Sequence, residues 1–462
     1  MSENNQAATP SAPKFGGMEV PPELKKMNFF FLFFVTFIMG MFMSVPAIIQ
    51  PVFLSDVIKI DQAFSGSING LLQNMSQIAT LLFVAMIGAL SDKTGRKILA
   101  FIGFVLLTIS YYFFGLSNGI AAALHIPSGF AATICSAVSF MPDKAAEFAP
   151  FAPGLLVTYI IRFIIGIGLI LGYPQFITMV ADYTYEKDRG KGMAANGMCM
   201  GFASIIVFGI FGAIVRKSGA IAGINFAVIL AGVGAVVTWF FLKDRMPEKT
   251  EKKTGLKEAI PVVKKSISLK ASYMCSLITR ADIIVLATFL VSWGVKVANQ
   301  HDMTAGDATM KSMYPMMAMG VFSLFAFPVI GILLDKWGRV PTILLSLFCA
   351  AAGMLLISVS PSPFSPILYL AVLLAGVGMA GSIAGANTLA TDASPKGMVG
   401  SILGGVNTMQ PIGALFFIGA GGYLFDKMGP GWAFGLKGVA NLVLFIWLFM
   451  VKGAINAERE AK

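Results

Sequence analysis

Charge is what this chain has least of. Lys, Arg, Asp and Glu make up only 12% of its 462 residues, while 56% are hydrophobic. Soluble domains carry about twice that share of charge. A single soluble core also stops growing near roughly 250–300 residues. A soluble enzyme or binding domain is therefore excluded. The 4 cysteines and 2 histidines form no CxxC pair and no ligand set, since His125 and His301 are far apart and Cys135, Cys199, Cys275 and Cys349 are scattered. That argues against structural zinc, haem and a disulfide framework, and no metal site is expected. The 27 methionines include MKSMYPMM, but with no His or Cys beside it, so they read as adaptable packing. No nucleophile–base constellation is evident, and no enzyme or cofactor is expected. The first apolar run is too long for a cleaved signal and lacks a small-residue cleavage site. Acids are missing from the middle of the apolar runs: Asp56, Asp182, Asp282 and Asp302 fall near their ends.

What is present is a series of twelve long apolar runs, each sufficient to cross a bilayer. They lie near 27–54, 64–90, 97–117, 153–180, 190–214, 220–242, 281–302, 310–334, 340–360, 365–390, 398–424 and 432–452. The fold class is all-α and integral to a membrane; a β-barrel would alternate over short segments. Repeated aromatics in MNFFFLFFVTFIMGMF read as lipid contact. Residues 1–26, rich in Ser, Asn, Pro and Ala, read as a disordered tail, and 453–462 as a second tail. Segment 243–280 reads as a linker, flexible in KDRMPEKTEKKTG and amphipathic in LKEAIPVVKKSISLK. It divides an N-terminal bundle (27–242) from a C-terminal one (281–452). Most of the 34 Lys and Arg residues fall on the side of the termini, leaving Arg162 and Lys296 inside runs. That predicts cytoplasmic termini in a multi-pass protein of the cell (inner or plasma) membrane, and it explains the net charge of +11 without nucleic-acid binding.

The two bundles repeat each other. Gly88, Leu90, Asp92, Gly95 and Arg96 of GALSDKTGRK recur as Gly331, Leu333, Asp335, Gly338 and Arg339 of GILLDKWGRV. Gly166, Gly168 and Asp182 recur at a shorter offset as Gly376, Gly378 and Asp392. The shortfall locates an insertion in the first half between spans 3 and 4, and 118–150 has the right length. Interrupted by Pro127, Ser128 and Gly129, it is expected to cap the outer face, partly as helix. Internal symmetry of this kind marks secondary transporters.

GALSDKTGRK resembles the G-x-L-x-D-x-x-G-R-[RK] loop of the major facilitator superfamily, and RFIIGIG, starting at Arg162, resembles its R-x-x-x-G-x-G signature in span 4. The resemblance runs the length of the chain. It implies two pseudo-symmetric six-helix bundles that rock about a midplane site, and a small-molecule substrate handled by a monomer in the bilayer. It also implies gating by the two loops when the inner side is shut. Asp92 would then meet the start of span 11 near Gly397, and Asp335 the start of span 5 near Gly190. Arg96, Asp182, Glu186 and Arg189 are the candidates for the surrounding ion pairs, and Lys97 and Arg339 belong to the two loop motifs.

The residues themselves point to candidates for the central path. Arg162 lies about nine residues into span 4, where an ionised side chain costs several kcal/mol unless paired or wet. The second-half equivalent is Val372, so the fold does not demand a charge there. The resemblance implies substrate binding or proton transfer for Arg162; a structural bond to span 1 carbonyls is the alternative. Spans 1, 4, 7 and 10, which the resemblance puts around the path, add Tyr159, Tyr173, Gln175, Trp293, Lys296, Gln300, Ser382 and Asn387. Lys296 is equally suited to snorkelling at the outer interface. In span 2, Asn69, Gln73 and Gln77 form an i, i+4, i+8 stripe with Asn74 beside it, lining the cavity or joining helices. With only bases deep in the membrane, a small organic anion is the expected cargo. Efflux of apolar or cationic compounds is the alternative, though span 5 lacks the G-P-x-x-G-G antiporter signature. A non-transporting receptor or assembly factor is the reading from another class. No coupling ion can be named; a proton is one candidate.

Overall fold

The computed structural model describes residues 13–245, 256–395 and 398–460. Its helices, in chain order, are α1 (Lys26–Phe53), α2 (Ser65–Thr94), α3 (Arg96–Gly115), α4 (Ser117–Ala123), α5 (Ser128–Val138), α6 (Ala145–Phe148), α7 (Ala152–Tyr183) and α8 (Arg189–Phe241) in the first half. The second half has α9 (Leu256–Lys265), α10 (Ile267–Thr279), α11 (Asp282–Lys296), α12 (Ala305–Lys336), α13 (Arg339–Ser358), α14 (Ile367–Ala393), α15 (Val399–Lys427) and α16 (Gly431–Glu460).

The twelve apolar runs are all helical, with three departures from the spans read off the sequence. Runs 5 and 6 form one assigned helix, α8, of 53 residues. At 1.5 Å per residue it would be far longer than a bilayer is thick. It turns back at Gly219 (φ 78°, ψ 177°), so that Gly223 packs on Val215. Run 8, α12, bends by 48° between Ala305–Ser323 and Phe325–Lys336. Run 7 starts at Ile267 and not at 281, because α10 and α11 are two halves of one 30-residue span, Ile267–Lys296. Ser272 and Ser276 satisfy their hydroxyls on the carbonyls of Ala386 and Val406, which removes the polarity that makes ISLKASYMCSLITR look like a linker.

The tails are also more ordered than their composition suggests. Lys14–Phe15 (β1) and Met18–Glu19 (β2) form a small antiparallel hairpin. The Glu19 amide donates to Asp188 and its carboxylate pairs with Lys187. Met18 and Val20 are buried. At the other end helix continues to Glu460, past the expected tail boundary, and Glu458 accepts from the Ser268 amide and hydroxyl. Much of the charged stretch expected to be flexible, 246–255, lies outside the described residues. α9 does form, tucked under α15 through Ala259. The aromatics of α1 are shared between core and surface: Phe29, Phe33 and Phe42 are buried, whereas Phe30 and Phe34 are exposed. Lipid contact therefore covers only one side of that run.

Segment 118–150 folds as α4, α5 and α6 over the end of the first bundle away from the termini. Asn118 donates to the Val57 carbonyl, and the Phe148 ring lies 4.9 Å from that of Phe64. Cys135 is fully buried within it.

The two halves touch mainly away from the termini. There α2 packs on α15 at glycines: a Cβ at Gly66 would stand 2.5 Å from the Phe425 ring, and one at Gly422 would stand 2.7 Å from the Gly66 carbonyl. α8 packs on α12 with Gly212 against Met310 and Gly306 against Arg216. At the face carrying the termini, a Cβ at Gly88, Gly190, Gly331 or Gly400 would meet nothing within 4 Å among the described residues. Among the described residues the seam is shut at one face and parted at the other.

Candidate functional site

Between the halves lies a cavity of about 240 Å³. From the first half Gln73, Ser76, Gln77 and Thr80 of α2 line it, with Arg162 and Tyr173 of α7. From the second half come Ile284 of α11, and Asn407 and Gln410 of α15. Four of the sequence candidates thus converge there: Arg162, Tyr173, Gln73 and Gln77. The i, i+4 spacing puts the two glutamines on one face of α2.

Arg162 is 1% exposed. Its Nε donates to Gln50 Oε1 at 2.6 Å and its Nη2 to Gln73 Oε1 at 3.1 Å. Nη1 has no partner among the described residues. Both acceptors are neutral amides, so the guanidinium is held in place without a counter-charge. Gln50 was not among the sequence candidates. It sits between Pro46 and Pro51 in an otherwise apolar helix, which is the signal that could have found it.

The break between α10 and α11 places Arg280 and Asp282 near mid-span, and Lys437 of α16 joins them. Arg280 turns toward the second-half amides: Nη1 donates to Asn407 Oδ1 at 2.8 Å and to Gln410 Oε1 at 3.4 Å, and Nη2 to Asn387 Oδ1 at 2.8 Å. Asp282 turns the other way, into the bundle. Lys437 of α16 meets it at 2.8 Å with both side chains fully buried, and Asn441 donates to both carboxylate oxygens at 3.2 and 3.1 Å. The expectation that no acid lies deep in a span is therefore corrected, and Arg280 and Lys437 join Arg162 as intramembrane bases. Lys437 also donates to the Ile278 carbonyl at 2.6 Å, which the break in the helix frees.

The other candidates lie elsewhere. Tyr159 meets Ser139 of the cap at 3.3 Å. Gln175 accepts from Ser91 at 2.5 Å, near the terminal face. Asn69 donates to the Ser65 carbonyl, and Asn74 reaches across the seam to the Leu415 carbonyl at 3.1 Å. The amide stripe thus divides between joining helices and lining the cavity. Ser382 bonds back to Gly378, and Asn387 is a support for Arg280. Trp293 lies against Phe434, Gln300 is exposed, and Lys296 stands 3.9 Å from Asp426 and over the Phe425 ring at the shut seam.

The repeated loops make matching ion pairs inside each half. Arg96 pairs with Asp182, and Arg339 with Asp392 at 3.1 Å and with Asp335 at 2.9 Å. Gly95 (φ 94°) and Gly338 (φ 101°) take the tight turn that side chains resist. Behind the first turn, Asp244 caps α3 by accepting from the amides of Arg96 and Lys97, both at 2.9 Å. Sequence reading left Asp244 in a linker. Leu90 and Arg189 are exposed, and a Cβ at Gly88 or Gly331 would meet nothing within 4 Å among the described residues. The contact expected between Asp92 and Gly397 lies outside the described residues, as does the Glu186 side chain. Asp335 is 78% exposed and a Cβ at Gly190 would meet nothing within 4 Å among the described residues, so their expected approach is not made.

The family model for the Major Facilitator Superfamily matches residues 32–323 and 283–461. The chain belongs to that superfamily. Among curated proteins, this superfamily member is 25% identical to magnetosome protein MamH of Paramagnetospirillum magneticum, over 89% of this chain and 90% of that one. It is 24% identical to magnetosome protein MamZ of Magnetospirillum gryphiswaldense, over 86% of this chain but 58% of that longer one. Among solved structures it resembles the peptide transporter POT in complex with sulfate (TM-score 0.67, 16% identity, 96% of this chain and 97% of that one). The D-xylose-proton symporter gives 0.65 at 16% identity (90% and 97%), and the nucleoside transporter NupG 0.66 at 11% (92% and 98%). At such identities the likeness establishes the twelve-helix transporter fold alone.

Proposed function

We propose that this protein is a secondary transporter that moves a small organic anion by alternating access. The observation that carries the reading is Arg162: fully buried, facing the cavity between the halves, supported by amides, and with one donor nitrogen unpartnered among the described residues. Arg162 is the charged group in a cavity lining that otherwise consists of neutral polar and apolar side chains. A desolvated guanidinium favours an anion through charge-assisted, forked hydrogen bonds. An apolar or cationic drug would leave that charge buried and uncompensated, which is costly.

With cytoplasmic termini, the parted face is the inner one and the conformation is inward-facing. The balance of Lys and Arg supports that orientation in a cell membrane. A magnetosome membrane is the second reading of location, on the names of the relatives. A fluorescent fusion imaged in the native cell separates the two.

The test is uptake of labelled carboxylates and phosphate into proteoliposomes, alongside binding to purified variants. Arg162→Ala is expected to weaken anion binding by about one to two decades, the value of a lost bond to a charged group. Arg162→Lys is expected to lose less, because the charge remains without the fork. Unchanged anion affinity in a monodisperse Arg162→Ala protein would overturn the reading.

A further inference from the structure

The second-half arginine has no assigned role, and its surroundings are chemically parallel to those of Arg162. Arg280 is held by Asn387, Asn407 and Gln410, all through amide oxygens. Its Nε is buried without a partner among the described residues. The carboxylate two residues away, Asp282, is occupied by Lys437 and Asn441. Asn407 and Gln410, which grip Arg280, line the same cavity as Arg162. Arg162 thus lines the cavity and Arg280 stands one side chain behind its lining, each fixed by neutral acceptors from its own half and still carrying an unused donor.

We infer that Arg280 is the second anchor of the cargo site and that the cargo is a small dianion touching both halves at once. The inference rests on the anion reading above. Two partly desolvated cations, one in the lining of a small space and one directly behind it, repel each other, and a single negative charge relieves one of them. A ligand with two negative charges relieves both. It also ties the first bundle to the second, so its binding favours the arrangements in which the two arginines share it. A carrier that rocks around its cargo needs contacts from both halves, and Arg280 is the group that supplies them from the second.

The chemistry fits two shapes: a compact oxoanion such as phosphate or sulfate, and a short dicarboxylate such as succinate. The experiment measures thermal stabilisation of the detergent-purified full-length protein over a concentration series of sulfate, succinate and acetate at constant ionic strength. A ligand that binds the folded state raises its melting temperature in proportion to occupancy. Sulfate or succinate is expected to act at concentrations about ten- to a hundredfold below acetate, the span of one bond to a charged group. Which of the two does so identifies the shape. In Arg280→Gln that preference is expected to vanish while acetate still binds through Arg162. Arg280→Lys is expected to fall between.

Wild-type protein that binds acetate as tightly as both dianions overturns the inference without any variant. So does a monodisperse Arg280→Gln or Arg280→Lys protein with undiminished affinity for the preferred dianion. Failure of every anion to stabilise the wild type overturns the anion reading itself, and this inference with it. Anion binding that depends on Arg162 but not on Arg280 leaves the first reading standing and removes the second.

Discussion

Asp426, at the end of α15, grips the first turn of α2: its two carboxylate oxygens accept the amides of Gly66 and Ser67 at 2.8 and 2.7 Å. The carboxylate is 2% exposed, with Lys296 3.9 Å away. A helix N-terminus offers unpaired amides and the positive end of its dipole, and an acid from the opposite half satisfies both. Arg216 and Asp307 join α8 to α12 at the same face, 2.7 Å apart.

The first prediction concerns this latch. Removing the acid with Asp426→Ala strips two charge-assisted bonds from the shut seam, each worth about 1.5–3 kcal/mol. The population open at that face is expected to rise by at least about tenfold. Spin labels at Ala63→Cys and Met428→Cys, in a background free of native cysteine, report the distance across it. An unchanged distance distribution would show that glycine packing alone shuts the seam. Asp307→Asn is expected to shift the same distribution little, because the Arg216 and Asp307 side chains are 54% and 35% exposed and solvent-screened pairs contribute under about 1 kcal/mol.

The second concerns the buried pair in the C-terminal bundle. Breaking it with Lys437→Met leaves Asp282 charged and buried, at a cost of about 3–5 kcal/mol. Asp282→Leu strands Lys437 in the same way. Replacing both by leucine exchanges the pair for apolar packing, which is often neutral or stabilising. Melting of detergent-purified protein is expected to drop steeply in each single variant and to recover in the double. A double variant no better than the singles would mean that the pair holds the α10–α11 break through directed bonds, the Ile278 carbonyl included, which leucines cannot replace.

The repeat and the spans were legible in the sequence because they are periodic and long. The Arg96–Asp182 pair and its counterpart Arg339–Asp392 follow from residues that recur at matching places. What escaped notice had its cause in tertiary pairing. Asp282 read as a span-end acid because a run of Ser, Lys and Arg precedes it, yet those serines bond to neighbouring helices and let the span begin at Ile267. Lys437 was not singled out, because its partner is distant in sequence. Asp244, in the segment after α8, and Asp426, in α15, cap helices distant in sequence, and no local pattern announces such a cap. Arg162 was legible alone, since a base in mid-span has few structural excuses. The amides that aim it, Gln50 and Gln73, come from two other helices.

A third prediction concerns the cap formed by 118–150, and Cys135 is a poor reporter for it. The thiol is fully buried against the Ala152 carbonyl, and burial pushes its pKa up to about 12. The thiolate is the reactive form, so at pH 7–8 its fraction falls about a thousandfold below that of an ordinary thiol near 9. A raised pKa means that reactivity is absent below it and gained only as pH climbs toward it. Native Cys135 is therefore expected to resist an impermeant maleimide on intact cells at pH 7, and to gain little by pH 9. Leu124→Cys is the informative variant. Leu124 ends α4 on the same cap and is 67% exposed, so a thiol there ionises and reacts as a surface group does. With cytoplasmic termini it is expected to label rapidly on intact cells, and cap and termini then lie on opposite sides of the membrane. Labelling of Leu124→Cys only in inverted vesicles would reverse the topology, turn the parted face outward, and make the latch at Asp426 an inner gate.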